Sequence, residues 1–218
     1  NESGPAFTTI SWKGGAVENM IQVIAYPHEG EGMVLPNPVS AQLDMDLYIP
    51  ADQFEGKFPV EQSMEEFSQI KVLDQLGLRI LFYGIVDEQR ETVTPEGRFL
   101  EIEARSMAAL LTDNEAEPQS YTTSSLELIF ERHAQPYGLT GCEGPQTPHV
   151  QLLEITSGMS EWDAVETFCT AAIQAIPRVT PRAVLYCGTW PMGKEPAAVL
   201  DNMEEGTVKY TELEKITG

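Results

Sequence analysis

The sequence predicts an α+β protein in which an antiparallel, β-barrel-like domain is followed by a small α/β domain of two helices and short strands. The first domain is expected at residues 1–113 and the second at residues 114–188. Residues 189–218 would form a return segment or the start of a second β domain. Three observations support this prediction: a long hairpin pattern, one cleanly alternating strand, and two amphipathic helical patterns.

The hairpin pattern spans residues 79–105. Residues 79–86 are apolar on both faces and rich in β-branched and aromatic side chains, as in a buried central strand. Pro95 and Gly97 occupy the second and fourth positions of a predicted type I turn. After the return strand, residues 106–111 are expected to leave the hairpin as a short helical or extended segment. The return strand alternates between Leu100, Ile102 and Ala104 on one face and Phe99, Glu101, Glu103 and Arg105 on the other.

Residues 41–49 form the alternating strand, and Pro50 ends it because proline has no N–H to donate. Two more strands are expected at residues 7–12 and 20–26, around a turn at residues 13–15. The apolar face of the alternating strand carries Leu43, Met45, Leu47 and Ile49, and the opposite face carries Gln42, Asp44, Asp46 and Tyr48.

Three segments of the first domain lack a clear period. Residues 27–38 are expected to form a loop and residues 51–62 to be irregular, whereas residues 64–76 fit either a short helix or a broken strand. About five or six strands therefore precede the second domain, which suits a small barrel or closed sheet.

The two helices are marked by capping signals. Ser124 and Glu127 match a capping box at the start of the first, which Pro136 should end. Ser160 starts the second, and Pro177 should end it. Short strands are expected at residues 150–155 and 183–187. The predicted buried faces are Leu126, Ile129, Phe130, His133 and Ala134 in the first helix, and Trp162, Val165, Cys169, Ala172, Ile173 and Ile176 in the second.

The chain is strongly acidic, with a formal net charge of -21 over 218 residues. This charge argues against binding nucleic acid or an anionic membrane through a basic face. No apolar run approaches the about 20 residues that a membrane helix requires, so no membrane insertion is expected. Because Asn1 is not an initiator Met, a trimmed or processed chain is expected.

The three cysteines, Cys142, Cys169 and Cys187, are odd in number and contain no Cys-x-x-Cys pair. Their spacing indicates neither a zinc site nor a disulfide framework, and a reduced, intracellular assembly is expected.

The candidates for catalysis each have a simpler structural interpretation. Residues 188–194 match the first seven positions of a phosphate-binding loop, but Glu195 stands where magnesium requires Ser or Thr. Ser160 is better explained as a helix cap than as a nucleophile, and Cys169 and His133 as buried structural residues. His28 and His149 show no metal-ligand spacing. No enzyme activity, cofactor or metal is expected.

Two motifs in order along the chain carry a resemblance to a known family. The first lies in the hairpin and its exit: Phe82, Gly84, Ile85, Val86, Gly97, Leu100, Ile102, Ala104, Arg105, Ser106, Leu110 and Leu111. The second lies in the two helices: Tyr137, Gly138, Gly158, Ser160, Trp162, Asp163, Val165, Phe168 and Cys169. Together they resemble the N-terminal portion of the baseplate hub proteins of contractile-tailed phages and prophages, the group that includes the late control protein D family.

The resemblance implies a structural protein of the virion tail, assembled in the cytoplasm of the bacterial host. It would form a homotrimeric hub ring that links the tail tube to the central spike, with Gly84, Gly97, Tyr137, Gly138 and Trp162 as fold anchors. DNA would pass through the ring without specific binding. Asp44, Asp46, Glu101 and Glu103 are then candidates to line its lumen, or else form an ordinary solvated face. The alternative function is a tail-associated carbohydrate-binding module or an accessory domain of a cell-wall hydrolase.

Overall fold

The computed structural model describes residues 7–13, 21–46, 48–74, 77–144, 149–188 and 208–212. The chain divides into two compact units, of which the first comprises residues 1–106 and 196–218 and the second residues 107–195. Leu47, most of the predicted turn at 13–15 and all but the first position of the phosphate-loop match lie outside the described residues.

The first unit is built on an antiparallel nine-stranded sheet in the order β14-β1-β4-β5-β8-β7-β6-β2-β3. With the few helices and short strands of the second unit, this sheet confirms the predicted α+β class. The strands of the sheet are β1 Phe7–Lys13, β2 Ile21–Pro27, β3 Met33–Val34, β4 Ser40–Asp46, β5 Gln53–Val60, β6 Phe67–Asp74, β7 Ile80–Thr94, β8 Gly97–Ser106 and β14 Val208–Glu212.

One face of this sheet carries the core of the unit. Phe54 and Phe58 of β5 are completely buried, and their neighbours on β4 and β8 alternate in phase with them. The inward residues of the central strands are Ala41 and Leu43 on β4, Phe54 and Phe58 on β5, Phe82 on β7, and Leu100, Ile102 and Ala104 on β8. The alternation predicted for the return strand of the hairpin is thereby confirmed. That predicted for residues 41–49 holds only as far as Asp46, where β4 ends, and Ile49, expected on the apolar face, is 54% exposed.

The prediction of irregular structure at residues 51–62 was wrong, because β5 lies at the centre of the sheet. Gly56 and Pro59 obscure its period. Gly56 faces the core, where a Cβ would come within 2.7 Å of the Phe58 ring. Pro59 lies beyond Lys57, the last residue of β5 that pairs with β4, so its missing N–H falls where β5 has a neighbour only on the β8 side.

The strand pairing also differs from the order along the chain. β1 pairs with β4 and β14, whereas β2 pairs with β6 and β3, so the two predicted N-terminal strands are not partners. The expected loop at 27–38 contains β3, and the ambiguous segment at 64–76 forms strand β6.

The predicted hairpin is confirmed as β7 and β8, which pair from Gly84↔Ser106 to Thr94↔Gly97. Its first strand is central in the sheet, but it buries one face and not two: Phe82 is buried, whereas Leu81 and Tyr83 are half-buried.

Two side chains of β7 hold the segment 61–66 where β6 no longer pairs with the hairpin. The Gln89 amide accepts a hydrogen bond from the Phe67 N–H and donates one to the Glu65 carbonyl, both at 2.9 Å. Glu91 accepts hydrogen bonds from the Met64 N–H at 2.6 Å and the Ser63 hydroxyl at 3.0 Å. The Met64 N–H is the main reason that the pKa of Glu91 lies below its usual value.

In residues 107–144 and 149–188, the described part of the second unit, three helices and two small sheets are present. One sheet has the order β10-β13-β12 and the other pairs β11 with β9. A 3-10 turn, Gln135–Tyr137, follows the second helix. The elements are α1 Ala109–Thr112, β9 Gln119–Tyr121, α2 Leu126–His133, β10 Gly141–Glu143, β11 Leu153–Ile155, α3 Glu161–Ile173, β12 Arg178–Val179 and β13 Val184–Tyr186.

The helix starts correct one predicted cap and confirm the other. Ser125, not Ser124, caps α2 by accepting a hydrogen bond from the Leu128 N–H, since Ser124 is buried in a bridge to Val150. Ser160 caps α3 as predicted, in a capping box.

The end of α3 also lies earlier than the sequence suggests. Gln174 takes the left-handed conformation with φ 54°, so α3 ends at Ile173, well before Pro177. Ile176, predicted to be buried, is therefore exposed.

The expectation of three unpaired cysteines was wrong. Cys169 on α3 and Cys187, just after β13, form a disulfide with their Cα atoms 6.0 Å apart. Both are completely buried, and only Cys142 remains a free thiol. Sequence spacing did not show this pairing, because it depends on the docking of α3 against β13.

Candidate functional site

The four acidic residues singled out in the sequence lie on one surface of the first unit. We call this surface the outer face, meaning the side of the nine-stranded sheet opposite its core. Asp44 and Asp46 on β4 and Glu101 and Glu103 on β8 all alternate with core residues and so belong to it. β5 lies between the two strands, which places them about 10 Å apart.

The pairing registers add two glutamates that the sequence prediction missed. Glu55 of β5 lies directly opposite Glu103 of β8, and Glu88 of β7 lies opposite Glu103 on its other side. Three carboxylates therefore stand side by side on neighbouring strands, and we call them the acidic row. Glu55 was missed because its strand was predicted to be irregular; Glu88 could be found only from the register.

The acidic row differs from its surroundings in its charge balance. Glu88 pairs with Arg90. Among the described residues, neither Glu55 nor Glu103 forms a hydrogen bond or an ion pair through its carboxylate, and both are exposed. The middle of the outer face therefore carries two adjacent negative charges that no neighbouring side chain neutralises.

The other predicted acidic residues are engaged by neighbours. Glu101 forms an ion pair with Lys57 at 2.8 Å. Asp44 accepts hydrogen bonds from the Thr9 hydroxyl at 2.5 Å and the Gln42 amide at 2.7 Å. Asp46 accepts one from the Tyr48 N–H at 2.7 Å. These three carboxylates stabilise the sheet locally. Of the four predicted acidic residues, Glu103 is therefore the one whose carboxylate has no hydrogen bond or ion pair within the described residues.

Two shallow depressions lie beside the acidic row and share Glu55 and Glu103. The first, of about 320 Å³, also has the Lys57–Glu101 pair in its wall. The second, of about 370 Å³, includes Arg105, which binds Asp87 at 2.7 and 3.0 Å. Both depressions are open and have charged side chains in their walls, which suits contact with a polar surface better than enclosure of a small apolar ligand.

The second unit contains a buried polar network centred on His133. Its Nδ1 lies 2.6 Å from Glu161 Oε2 and its Nε2 lies 2.9 Å from the Tyr121 hydroxyl. The Tyr137 hydroxyl donates to Glu161 Oε1 at 2.9 Å. Burial is the main cause that raises the pKa values of Tyr121 and Tyr137.

This network confirms that His133 is a satisfied interior histidine. Both of its ring nitrogens are engaged and its side chain is buried, so neither nitrogen is available as a base toward a substrate. Glu161 was not singled out from the sequence. Its carboxylate is the acceptor that joins His133 to Tyr137.

Four of the five proposed fold anchors occupy positions with steric or conformational demands, namely Gly84, Gly97, Gly138 and Trp162. A Cβ on Gly84 would lie 2.1 Å from the Arg105 carbonyl oxygen. Gly97 and Gly138 have φ values of +139° and +85°, in the region that favours glycine. Trp162 is 4% exposed on the core side of α3.

The described residues hold no group of three His, Cys, Asp or Glu side chains placed as a metal site. Within that same part of the chain, no helix has the length and apolar character needed to cross a bilayer.

Comparison with known proteins defines the class of fold. No protein-family model matches the sequence, and no curated protein matches it. Among solved structures, the chain is similar to the tail protein from Neisseria meningitidis MC58, with a TM-score of 0.60 and 19% identity, covering 77% of this chain and 49% of that one.

A second similar structure is the 43 kDa tail protein of prophage MuSo2 from Shewanella oneidensis, with a TM-score of 0.52 and 11% identity. The match covers 84% of this chain and 53% of that one. The chain therefore shares its fold with tail proteins and spans about half the length of these two.

Proposed function

We propose that this chain is a structural component of a phage or prophage tail, and specifically part of a baseplate hub protein. The observation that supports the proposal is the shared architecture with two tail proteins across both units of the chain. The hub-like motifs add to it, since Gly84 and Trp162, one from each motif, occupy constrained positions in the fold.

In this proposal three copies form a ring in the virion tail, between the tail tube and the central spike, after assembly in the host cytoplasm. The subunit has no catalytic role and no cofactor. Its sheet supplies the contact surfaces, because strands at the edges of an open sheet keep unpaired backbone groups that a neighbour can cover.

Oligomeric state tests the ring. Light scattering and negative-stain microscopy of the full-length protein should show a trimeric ring, alone or with its spike protein. A stable monomer at high concentration, with and without the spike, contradicts the hub. Tail particles labelled with an antibody against this chain then test the wider tail role separately, because a tail protein outside the hub would still be present in the particle.

We further propose that the outer face lines the lumen of the ring. Asp44, Asp46, Glu101 and Glu103 would then repel the phosphate backbone of passing DNA, and Glu55 strengthens this field beside Glu103. The competing interpretation is a solvated outer surface with no role in DNA passage.

Charge reversal separates the two interpretations. Glu55→Lys with Glu103→Lys is the sharpest pair, because neither carboxylate has an ion-pair partner to lose among the described residues. Glu131→Lys with Glu154→Lys, on exposed positions of the second unit, changes the net charge equally and serves as the control. In phage that still assemble, the lumen proposal requires slowed DNA ejection that added salt relieves, for the first pair only. Normal ejection kinetics exclude it.

A carbohydrate-binding module is the second candidate. The depressions beside the acidic row favour it, because carboxylates, amides and an ammonium group in a shallow surface can hydrogen-bond sugar hydroxyls. A glycan array with the wild-type chain and the Glu55→Lys, Glu103→Lys variant tests this candidate. Binding that the variant loses supports the module, and no binding to any glycan removes it.

A further inference from the structure

The second unit contains a buried disulfide to which the proposed tail function assigns no role. Cys169 lies on the buried side of α3 and Cys187 follows β13, and both thiol positions are completely buried. Their disulfide closes a loop with a sequence separation of 18 residues. This loop contains the end of α3, strand β12 and the turn into β13, and we call it the return loop.

The return loop is joined to the small sheet through β13, which pairs with β10 at three positions, and through the Thr140 N–H, which donates to the Ala183 carbonyl at 2.8 Å. Strand β12 is its less restrained part. β12 pairs with β13 through only two residue pairs, Arg178↔Tyr186 and Val179↔Leu185. Its turn is closed by the Thr180 N–H to the Val184 carbonyl at 2.8 Å and the Ala183 N–H to the Thr180 carbonyl at 2.9 Å. A covalent link across this loop removes part of the freedom of the unfolded chain and therefore adds to the order that the strand pairing provides.

We propose that Cys169 and Cys187 are a redox-dependent lock, open as two thiols in a reducing cytoplasm and closed as a disulfide after the chain leaves it. Glutathione and thioredoxin keep cytoplasmic thiols reduced, whereas disulfides persist in oxidising surroundings. The inference rests on the part of the proposed function that places assembly in the cytoplasm and release afterwards, and it does not depend on the trimeric ring.

The closing reaction is two successive thiol–disulfide exchanges with a disulfide oxidant such as oxidised glutathione. One cysteine thiolate attacks the oxidant, forms a mixed disulfide and releases one glutathione thiol. The second cysteine thiolate then displaces the other glutathione. The two cysteines lose two electrons and two protons in total, and the oxidant gains them as two thiols.

Because both sulfur atoms are buried, oxidation of the two thiols and reduction of the disulfide should both be slow. Neither an oxidant nor a reductant reaches the two sulfur atoms while the return loop is in place, so exchange requires local opening of β12 and β13. A lock closed after release would therefore persist through a brief return to reducing conditions.

The third cysteine lies near this disulfide but is held out of the exchange. Cys142 on β10 is the register partner of Leu185, two residues before Cys187. Burial raises the pKa of the Cys142 thiol, and the carboxylates of Glu127 and Glu131 raise it further. Because only the thiolate attacks a disulfide, this environment protects the Cys169–Cys187 pairing from exchange with Cys142.

Alkylation under denaturing conditions measures the state of the lock in the full chain. We expect a chain trapped with acid and alkylated inside the producing cytoplasm to carry three alkyl groups by intact mass. The same chain after release and equilibration with oxidised glutathione should carry one, on Cys142 by peptide mapping. One alkyl group already in the cytoplasm, three after oxidation, or an alkyl group mapped to Cys169 or Cys187 after oxidation would each overturn the proposal.

Thermal unfolding tests the consequence for structure. Oxidation should raise the melting temperature of the second unit by roughly 10 °C or more over the dithiothreitol-treated chain. Cys169→Ser with Cys187→Ser should abolish this difference, and Cys142→Ser, the matched control, should keep it. Equal melting temperatures for the oxidised and reduced wild-type chain would show that the bond does not lock the return loop.

Discussion

Glu55 and Glu103 stand directly opposite each other on β5 and β8, and no side chain in the described part of the molecule neutralises either carboxylate. Like charges opposite each other weaken a strand pair. The sheet thus retains an unfavourable contact at the centre of its outer face, while the next pair, Lys57 and Glu101, is complementary.

Changing one member of this pair should stabilise the first unit. Glu103→Lys converts a repulsive cross-strand pair into an attractive one, and we expect the free energy of unfolding in urea to rise by roughly 0.2–1 kcal/mol. The gain should shrink at high salt because the charges are exposed. Glu101→Gln, which removes the ion pair with Lys57, should have no effect or a small effect of the opposite sign. A loss of stability in Glu103→Lys would show that its carboxylate has a favourable role.

Gly84→Ala should destabilise the hairpin. The added Cβ would lie 2.1 Å from the Arg105 backbone carbonyl, so β7 and β8 must move apart at that point. We expect a loss of about 1–3 kcal/mol in unfolding free energy, the usual range for overpacking. Gly141→Ala is the control, since no atom lies within 4 Å of its Cβ position. Equal stability of the two variants would argue against the close approach of the strands.

The buried network around His133 predicts a graded response to mutation. Tyr137→Phe removes one hydrogen bond to Glu161 and should cost about 1 kcal/mol. Glu161→Ala leaves both His133 and Tyr137 without their acceptor and should cost roughly 2–6 kcal/mol, about 1–3 for each buried group left unsatisfied. Urea unfolding followed by near-UV circular dichroism measures both. Similar losses for the two variants would mean that Glu161 contributes only through Tyr137.

The segment 61–66 should loosen in acid. Because the pKa of Glu91 is lowered in the folded protein from an ordinary value of 4.5, its ionised carboxylate stabilises the fold above that pH. This contribution is lost as the pH falls through the lower, folded-state pKa. The protection factor of the Met64 amide, which compares its exchange rate with that of an unstructured chain, should therefore fall as the pH drops below 4.5. In Glu91→Gln, the Met64 amide should be less protected at neutral pH and should lose less protection in acid. If the wild-type amide loses no more protection in acid than the variant does, the coupling is refuted.

Trp162→Ala should unfold the second unit before the first. Truncation of a buried tryptophan costs about 3–5 kcal/mol. Hydrogen exchange should show early loss of protection in α3 while β7 and β8 stay protected. Leu78→Ala, at an exposed position, is the control and should leave the melting temperature unchanged.

Local patterns in the sequence were sufficient for elements whose period is unbroken. The alternation of Leu100, Ile102 and Ala104 and the capping signal at Ser160 both predicted the observed structure, because each depends only on neighbours in the chain. β5 was missed because Gly56 replaces a core side chain and Pro59 suggests a break. The pairing of β1 with β4 depends on contacts distant in sequence, which periodicity does not encode.

The candidate site was likewise predictable only where it depends on local sequence patterns. Asp44 and Glu103 could be assigned to a polar strand face from alternation alone. That they share one sheet face, with Glu55 between their strands, follows only from the order of strands in the sheet. The Cys169–Cys187 bond likewise joins two elements whose proximity is a tertiary property.

The amide of Gln89 takes the place that a neighbouring strand would have along the outer half of β7, since it donates to one backbone carbonyl and accepts from one backbone N–H. An uncovered strand edge readily recruits a second polypeptide and so promotes aggregation. With Gln89 and Glu91 holding the segment 61–66 across it, the edge is already occupied in a single copy of the chain. A single copy of the chain is thereby protected against non-specific association along this hairpin.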